Sequence, residues 1–569
     1  MKLNERKTAY ISTLIILLIC ATTSHPQWST DPQHSLQFPG LFKADIVNDS
    51  LGGVFILGDG GDYRSYCIRL DPQGEESWDE WTDVAPSNHV SPYKYYSMCP
   101  EPGCIIIPYQ AYWFDGESDT TLDLRLQKLD SEGDLVWHEN GVIVNSLSHN
   151  YYSRTKISFF GIIPDGEGGV IVGYVVHIGE GERGYVQRIS PDGERLWGED
   201  GVEVPGDNGD YYPLGGILEK PSIRMVTDMA GGCIVAFGAH RGIYTQRVNS
   251  DGERVWAEEQ AFHDESSIFS VKDAISDRRG GMILSFDKTH PSPNRNVVVF
   301  RFDNNGESLW GDEEGVSVFR RLIAGISSMD IYLTQADDST IFVNWDDRTD
   351  NEPHARVQAV NLEGELLWDY PGLRISLNDS RQYNLHGTHS NESGVYVWTD
   401  TRESENEEWG YYAQRLGTDQ SRMWGDDDVL LFDQPGMTFI NIESDLSGGA
   451  YVFYWDGSSF LQYINGDGEL GEVLSVPSDG LPVLPELLSF NLYPNPANGF
   501  VSINLPNQGA QLLSWVRIYD MNGRTVQILN PPISKTQYVM DLSLISSGTY
   551  IFEVQSQMGS GRVPLQIIN

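Results

Sequence analysis

Two stretches of the 569-residue chain set carboxylates beside guanidinium groups: WDDRTDNE at 345–352 and WTDTRESE at 398–405. Asp346 or Asp347 with Arg348, and Asp400 with Arg402, repeat one pattern after a strand, which suits ion pairs that shape a loop. The catalytic alternative is a carboxylate pair flanking a glycosidic bond, and its spacing in three dimensions is not written in the sequence. Aromatic residues form a second series, about 13 to 17 positions after a recurring tryptophan: Phe42, Tyr95, Tyr152, Tyr212, Phe269, Tyr383 and Phe439. Of these, Tyr95, Tyr152, Tyr212 and Tyr383 are the candidate ligand-binding residues, since a ring face stacks on sugars and on peptide side chains. Packing beneath a loop is the competing reading.

No nucleophile, zinc-protease, phosphate-loop or dinucleotide signature is found, and the 12 histidines are scattered without ligand spacing. No catalytic residue is therefore assigned, and enzymatic activity is left open. The acidic turns PDGE, SDGE and NNGE offer one or two oxygens each, whereas a calcium loop needs carboxylates at alternate positions and a distal bidentate glutamate. Asp-Gly and Asn-Gly are what a tight turn requires. Calcium, the one cofactor considered, is better placed at Gly58–Asp62 or Asp426–Asp428. In CPEPGC the Pro-Gly turn brings Cys99 and Cys104 towards disulfide reach, while Cys67 and Cys233 sit in apolar runs and read as buried thiols.

The elements that position these residues recur. RLDPQGEESW (69–78), KLDSEGDLVW (128–137), RISPDGERLW (188–197), RVNSDGERVW (247–256), RFDNNGESLW (301–310), AVNLEGELLW (359–368) and RLGTDQSRMW (415–424) form one series, and YINGDGELGE (463–472) is a degenerate eighth. Trp78, Trp137, Trp197, Trp256, Trp310, Trp368 and Trp424 thus return every 54 to 60 residues, and Trp28 precedes them in register. Upstream of each lies a turn, often Gly-Gly, and an apolar strand, giving about four short strands per unit. A fixed period of that size predicts a β-propeller of eight blades, with seven as the alternative. A chain that begins at a blade's closing tryptophan suits a ring whose last blade is completed by the N-terminus.

The D-x-x-G-x-x-x-W core resembles the tryptophan-docking repeat of quinoprotein (PQQ-like) propellers, with a turn one residue shorter and without their quinone site. That resemblance implies tryptophans packed between blades. The sialidase Asp-box, S-x-D-x-G-x-x-W, does not fit, because three residues separate Gly193 from Trp197.

Lys2, Arg6 and Lys7, the apolar run Ala9–Ala21 and the small residues after it predict a signal peptide over 1–25. No later stretch is apolar enough to span a membrane. The net charge of −43 disfavours nucleic acid, whose binding depends on cationic groups. The propeller is expected over 26–476, a proline-rich linker over 477–487, and a small C-terminal β-sandwich over 488–569. Tyr493-Pro494-Asn495-Pro496, Ile518-Tyr519-Asp520 with Gly523-Arg524, Asp541-Leu542 and Ser547-Gly548-Thr549-Tyr550 resemble, in order, the C-terminal sorting domain of type IX secretion cargo. The last strand departs, having Arg562 and Pro564 where that family commonly has lysines. The resemblance implies recognition by the type IX machinery and release or display at the surface of a Gram-negative cell. The function expected is extracellular binding of a glycan or protein; a secreted polysaccharide hydrolase or lyase, and a purely structural surface protein, are the alternatives.

Overall fold

The structure is a computed structural model, and the chain divides into units 1–474 and 475–569. Described are residues 28–471, without 33–34, 39–40, 61–63, 86–89, 93–96, 115–119, 150–155, 179–180, 205–222, 240–241, 257–259, 264–267, 290–294, 311–314, 322–330, 338, 348–352, 391–392, 403–408, 434–438 and 456–457, together with the strands between 491 and 567. The expected signal peptide and linker lie outside the described residues, as do Tyr95, Tyr152, Tyr212, Gly523 and Arg524.

The described elements are all β. Seven four-stranded antiparallel sheets follow one another over 41–83, 90–149, 156–204, 223–263, 268–321, 331–374 and 382–433. The eighth joins Phe439–Ser444, Ala450–Trp455 and Ser459–Ile464 to the N-terminal strand Leu36–Phe38, in the register Leu36↔Leu461 to Phe38↔Ser459. These are eight blades, and the ring is closed by a strand from the opposite end of the chain. The first strands of blades 3 to 8 adjoin in succession, and that of blade 8 adjoins that of blade 1, so first strands lie towards the axis.

Each strand alternates between the two interblade spaces, which explains its apolar content on both faces. In blade 3, Val170 and Val172 face one core and Ile171 and Val175 the next. Aromatic contacts bridge neighbouring blades, as where Phe432 and Tyr454 meet at 60° with centroids 4.0 Å apart between blades 7 and 8.

In the C-terminal unit seven strands share one hydrogen-bonded order. Thr525–Leu529, Leu513–Asp520, Gly548–Ser556 and Gly559–Ile567 form an antiparallel run, joined through the parallel pair Ala497↔Ile567 to Asn491–Asn498, Phe500–Asn504 and Gln537–Asp541. Ile518 stands opposite Phe552, and Tyr550 opposite Leu565, which sets buried side chains on one face. Of the sorting-motif residues, Tyr493, Pro494, Asn495 and Pro496 lie in Asn491–Asn498, Gly548 opens its strand, and Tyr550 is buried.

Candidate functional site

In an antiparallel blade, the first-to-second and third-to-fourth connections lie at one end, and the second-to-third and interblade connections at the other. The ring therefore has a turn face and a loop face. The repeated sequence belongs to the turn face, where its groups are consumed by one another.

Each repeat tryptophan is buried, from 1% exposed at Trp310 to 9% at Trp424. Each indole N–H donates to a carbonyl in the next blade's turn: Trp28 to Pro72, Trp78 to Ser131, Trp137 to Pro191, Trp197 to Ser250, Trp256 to Asn304, Trp310 to Leu362, Trp368 to Thr418 and Trp424 to Gly466, at 2.8–3.2 Å. The turn glycine is required twice over. At Gly252, φ is +83° and an added Cβ would lie 2.7 Å from Trp197, so a side chain meets both the left-handed backbone penalty and the docked ring. Trp28 stands where the eighth blade's own chain offers Leu470. The bond from Gln462 Nε2 to Ser29 O reproduces those from Gln187 to Gly198 and Gln414 to Gly425.

The Gly-Gly turns carry a second device. Asp49, Asp165, Asp228 and Asp277 each accept backbone N–H groups through one oxygen and an arginine through the other: Arg69, Arg188, Arg247 and Arg301. Asp445 closes its turn likewise and accepts from Tyr463. Where the aspartate stands, the residue before the next strand is glycine: at Gly53, Gly169, Gly232, Gly281 and Gly449 a Cβ would fall 2.1–2.3 Å from a carbonyl oxygen of the third strand and 2.6–2.8 Å from the carboxylate. Where it is replaced, by Pro100, Ala336 or Ser390, the glycine gives way to Cys104, Thr340 or Ser393. In blade 6 the arginine is lost too, and Ala359 occupies its place.

The best described part of the loop face lies between blades 6 and 7, where both Asp-Arg stretches fall. Asp346 accepts the Leu385 N–H of the neighbouring blade at 3.3 Å, and Asp347 pairs with Arg356 at 2.7 Å; Arg348 lies outside the described residues. Arg402 meets Asp400 at 2.6 Å and Asp428 at 2.9 Å, with both carboxylates inaccessible. It also lies 3.9 Å over the Tyr412 ring. Burial opposes the charge of Arg402, but hydrogen bonds and charge from Asp400 and Asp428 outweigh it and raise its pKa further. Ser376 donates to Asp428 at 2.5 Å, and Gln414 at 3.1 Å, so this member of Asp426–Asp428 is held by protein groups.

Arg374 bonds Asp379 at 2.8 Å and His354 Nδ1 at 3.1 Å, which makes that nitrogen the acceptor because a guanidinium only donates. Tyr383 is half-buried and meets the half-buried Trp409 edge-on, centroids 5.2 Å apart. Asn384, in the left-handed region at φ 52°, follows Tyr383 within the bulge that shifts the register towards His386, which lies 5.5 Å from Tyr332 across the blade boundary. Phe42, Phe269 and Phe439 also fall at the loop-face ends of first strands.

A last group lies where the ring closes. Asn441 donates to Asp45 and to Ile46 O, and Glu443 beside them is pushed up to about 8 by burial and by the Asp45 charge, against the hydrogen bond from the Asn48 backbone. Trp409 and Glu443 are additions to the sequence reading. Trp409 follows an acidic stretch of sequence without a repeat spacing, and Glu443 and Asp45 are brought together only by closure of the ring.

Among the described residues, no group of three or more His, Cys, Asp or Glu is arranged to hold a metal, and no helix is long and apolar enough to cross a membrane. Cys67, Cys99, Cys104 and Cys233 carry unbonded thiols in this structure. Cys67 and Cys233 are fully buried, and Cys99 and Cys104 half-buried.

Residues 491–565 match the family described as Secretion system C-terminal sorting domain. No curated protein matches the chain. Among solved structures, it is similar to the WD40 domain of SCAP from fission yeast, at 10% identity, covering 79% of this chain and 98% of that one, with a TM-score of 0.40. A PL25 ulvan lyase is matched at 12% identity over 66% and 92%, with a TM-score of 0.35. A quinonprotein alcohol dehydrogenase-like protein from Bacteroides thetaiotaomicron is matched at 12% identity over 58% and 67%, with a TM-score of 0.29. The sorting domain marks the chain as a protein secreted from, or displayed on, a Gram-negative cell of the Bacteroidetes type.

Proposed function

We propose that the propeller is an extracellular binding module that takes a glycan or a protein on its loop face. What carries the reading is the inequality of the two faces. On the turn face, the repeated tryptophans and glutamines donate to backbone carbonyls and the arginines to the aspartates, so these groups are already engaged. The loop face holds groups that differ from blade to blade, such as the half-exposed pair Tyr383 and Trp409 and the Arg374–His354 contact. A rigid ring presenting unlike loops is how other scaffolds carry recognition. The carboxylates Asp347, Asp400 and Asp428 are engaged by Arg356 and Arg402, which suits loop shaping better than proton transfer.

The test is a glycan array and a pull-down from extracellular material with the purified full chain, repeated with Tyr383→Ala and Trp409→Ala. Specific capture that both variants weaken at least about tenfold, or roughly 1.4 kcal/mol, supports the reading. Capture unaffected by either places the ligand elsewhere on the face, and no capture leaves a structural surface protein. A second reading, a secreted polysaccharide hydrolase or lyase, rests on Glu443: a carboxyl near pH 8 keeps the proton a general acid must deliver. Polysaccharide cleavage lost in Glu443→Gln favours that reading over the first.

A further inference from the structure

We propose that Cys99 and Cys104 are joined by a disulfide in the exported protein, closing the one Gly-Gly-type turn in which cysteines replace the aspartate clamp. In blade 2 the aspartate position is Pro100, which has neither a carboxylate nor an N–H, and the glycine position is Cys104. The remaining closure is slight. Cys104 N–H donates to Glu101 O at 3.0 Å, the Cys99 thiol to the same carbonyl at 2.9 Å, and Lys128 meets Glu101 at 3.4 Å in place of a buried Arg–Asp pair.

Three observations select this pair. The cysteines flank a turn with Pro102 and a positive-φ Gly103, immediately beyond the bonded pair Met98↔Ile106, so the backbone already returns on itself there. The Cys99 thiol and the Cys104 N–H converge on one atom, the Glu101 carbonyl oxygen. Both are half-buried, whereas Cys67 and Cys233 are wholly enclosed in different blades and inaccessible to exchange. The compartment also fits, because a chain carrying a secretion sorting domain passes through an oxidising periplasm.

The chemistry is a two-electron exchange. One thiol, as its thiolate, attacks the disulfide of a periplasmic thiol–disulfide oxidoreductase and forms a mixed disulfide. The second attacks the protein-side sulfur, the S–S bond closes, and the oxidoreductase leaves as its dithiol carrying both electrons, with two protons passed along.

The test is peptide mapping of the full chain recovered from the periplasm or medium and denatured with an alkylating agent before any reductant. Both cysteines fall in the tryptic peptide 95–125. The expected result is that this peptide is unalkylated and about 2 Da lighter than its reduced form, while Cys67 and Cys233 are alkylated, as thiol–disulfide bookkeeping requires. Alkylation of both Cys99 and Cys104 without reductant, or a bond from either to Cys67 or Cys233, overturns the proposal. A Cys99→Ser/Cys104→Ser variant checks it separately: reductant lowers the unfolding midpoint of the wild type and leaves the variant unmoved.

Discussion

Arg301 and Asp277 offer the sharpest test of the clamp. Their side chains are 6% and 2% exposed, and two guanidinium nitrogens meet Asp277 Oδ2 at 2.9 and 3.1 Å. The third donates to Leu362 O at 2.7 Å, the carbonyl that also takes the Trp310 indole, so the pair ties blade 5 to blade 6. Asp277 Oδ1 accepts Arg279 and Gly281 N–H at 2.8 and 2.7 Å. Removing either partner leaves a buried charge uncompensated, at a cost of about 3–5 kcal/mol. Independent side chains would make Asp277→Ala/Arg301→Ala cost the sum, about 6–10 kcal/mol. Blade 6 dispenses with both partners as Ala336 and Ala359, whereas blade 7 keeps Arg415 and blade 8 keeps Asp445 only with substitute partners, Ser393 and Tyr463. The double variant loses instead the two turn bonds and the Leu362 contact, about 0.5–1.5 kcal/mol each, or roughly 2–4 kcal/mol in total. Equilibrium urea unfolding followed by tryptophan fluorescence measures all four proteins of the cycle. A double variant destabilised by the sum of the singles refutes the reasoning.

Further outcomes follow from the same geometry. Gln420 takes the left-handed backbone at φ 72° where the other turns carry glycine, so Gln420→Gly should stabilise the fold by about 1 kcal/mol, read as a shift in urea midpoint. Deleting residues 26–38 removes Trp28 and the strand paired with Ser459–Ile464, and should abolish cooperative unfolding of blade 8, read as hydrogen exchange in Ala450–Trp455. Glu443 has its folded pKa raised from 4.5 to about 8, so its proton uptake favours folding fully below about pH 4.5, and that contribution is lost as pH rises to about 8. Glu443→Gln should flatten the fall in stability between those pH values, and an unchanged slope would show that Glu443 is not its source.

The blade count was legible because each blade repeats the same burial problem: a tryptophan must seal it to the next, and the period of that residue counts the units. Trp28, set before the first complete unit, even announced a ring closed by the N-terminus. The sorting domain was legible for a similar reason, since its motifs are local and ordered along the chain. Of the Asp-Arg stretches, Asp400 pairs with Arg402 as the spacing suggests and shares it with Asp428 from the far side of its blade, while Asp347 meets Arg356 from the adjacent strand, a choice set by register. Neither Asp428 nor Arg356 follows from spacing.

Sequence alone determined what repeats, because hydrogen-bonded turns and docked rings impose the same residues at the same interval. The tertiary structure decided what stands across an interblade space: Trp28 against Pro72, Glu443 beside Asp45, and the division into a saturated turn face and a varied loop face. Those relations join residues tens to hundreds of positions apart, and only closing the ring brings them within reach.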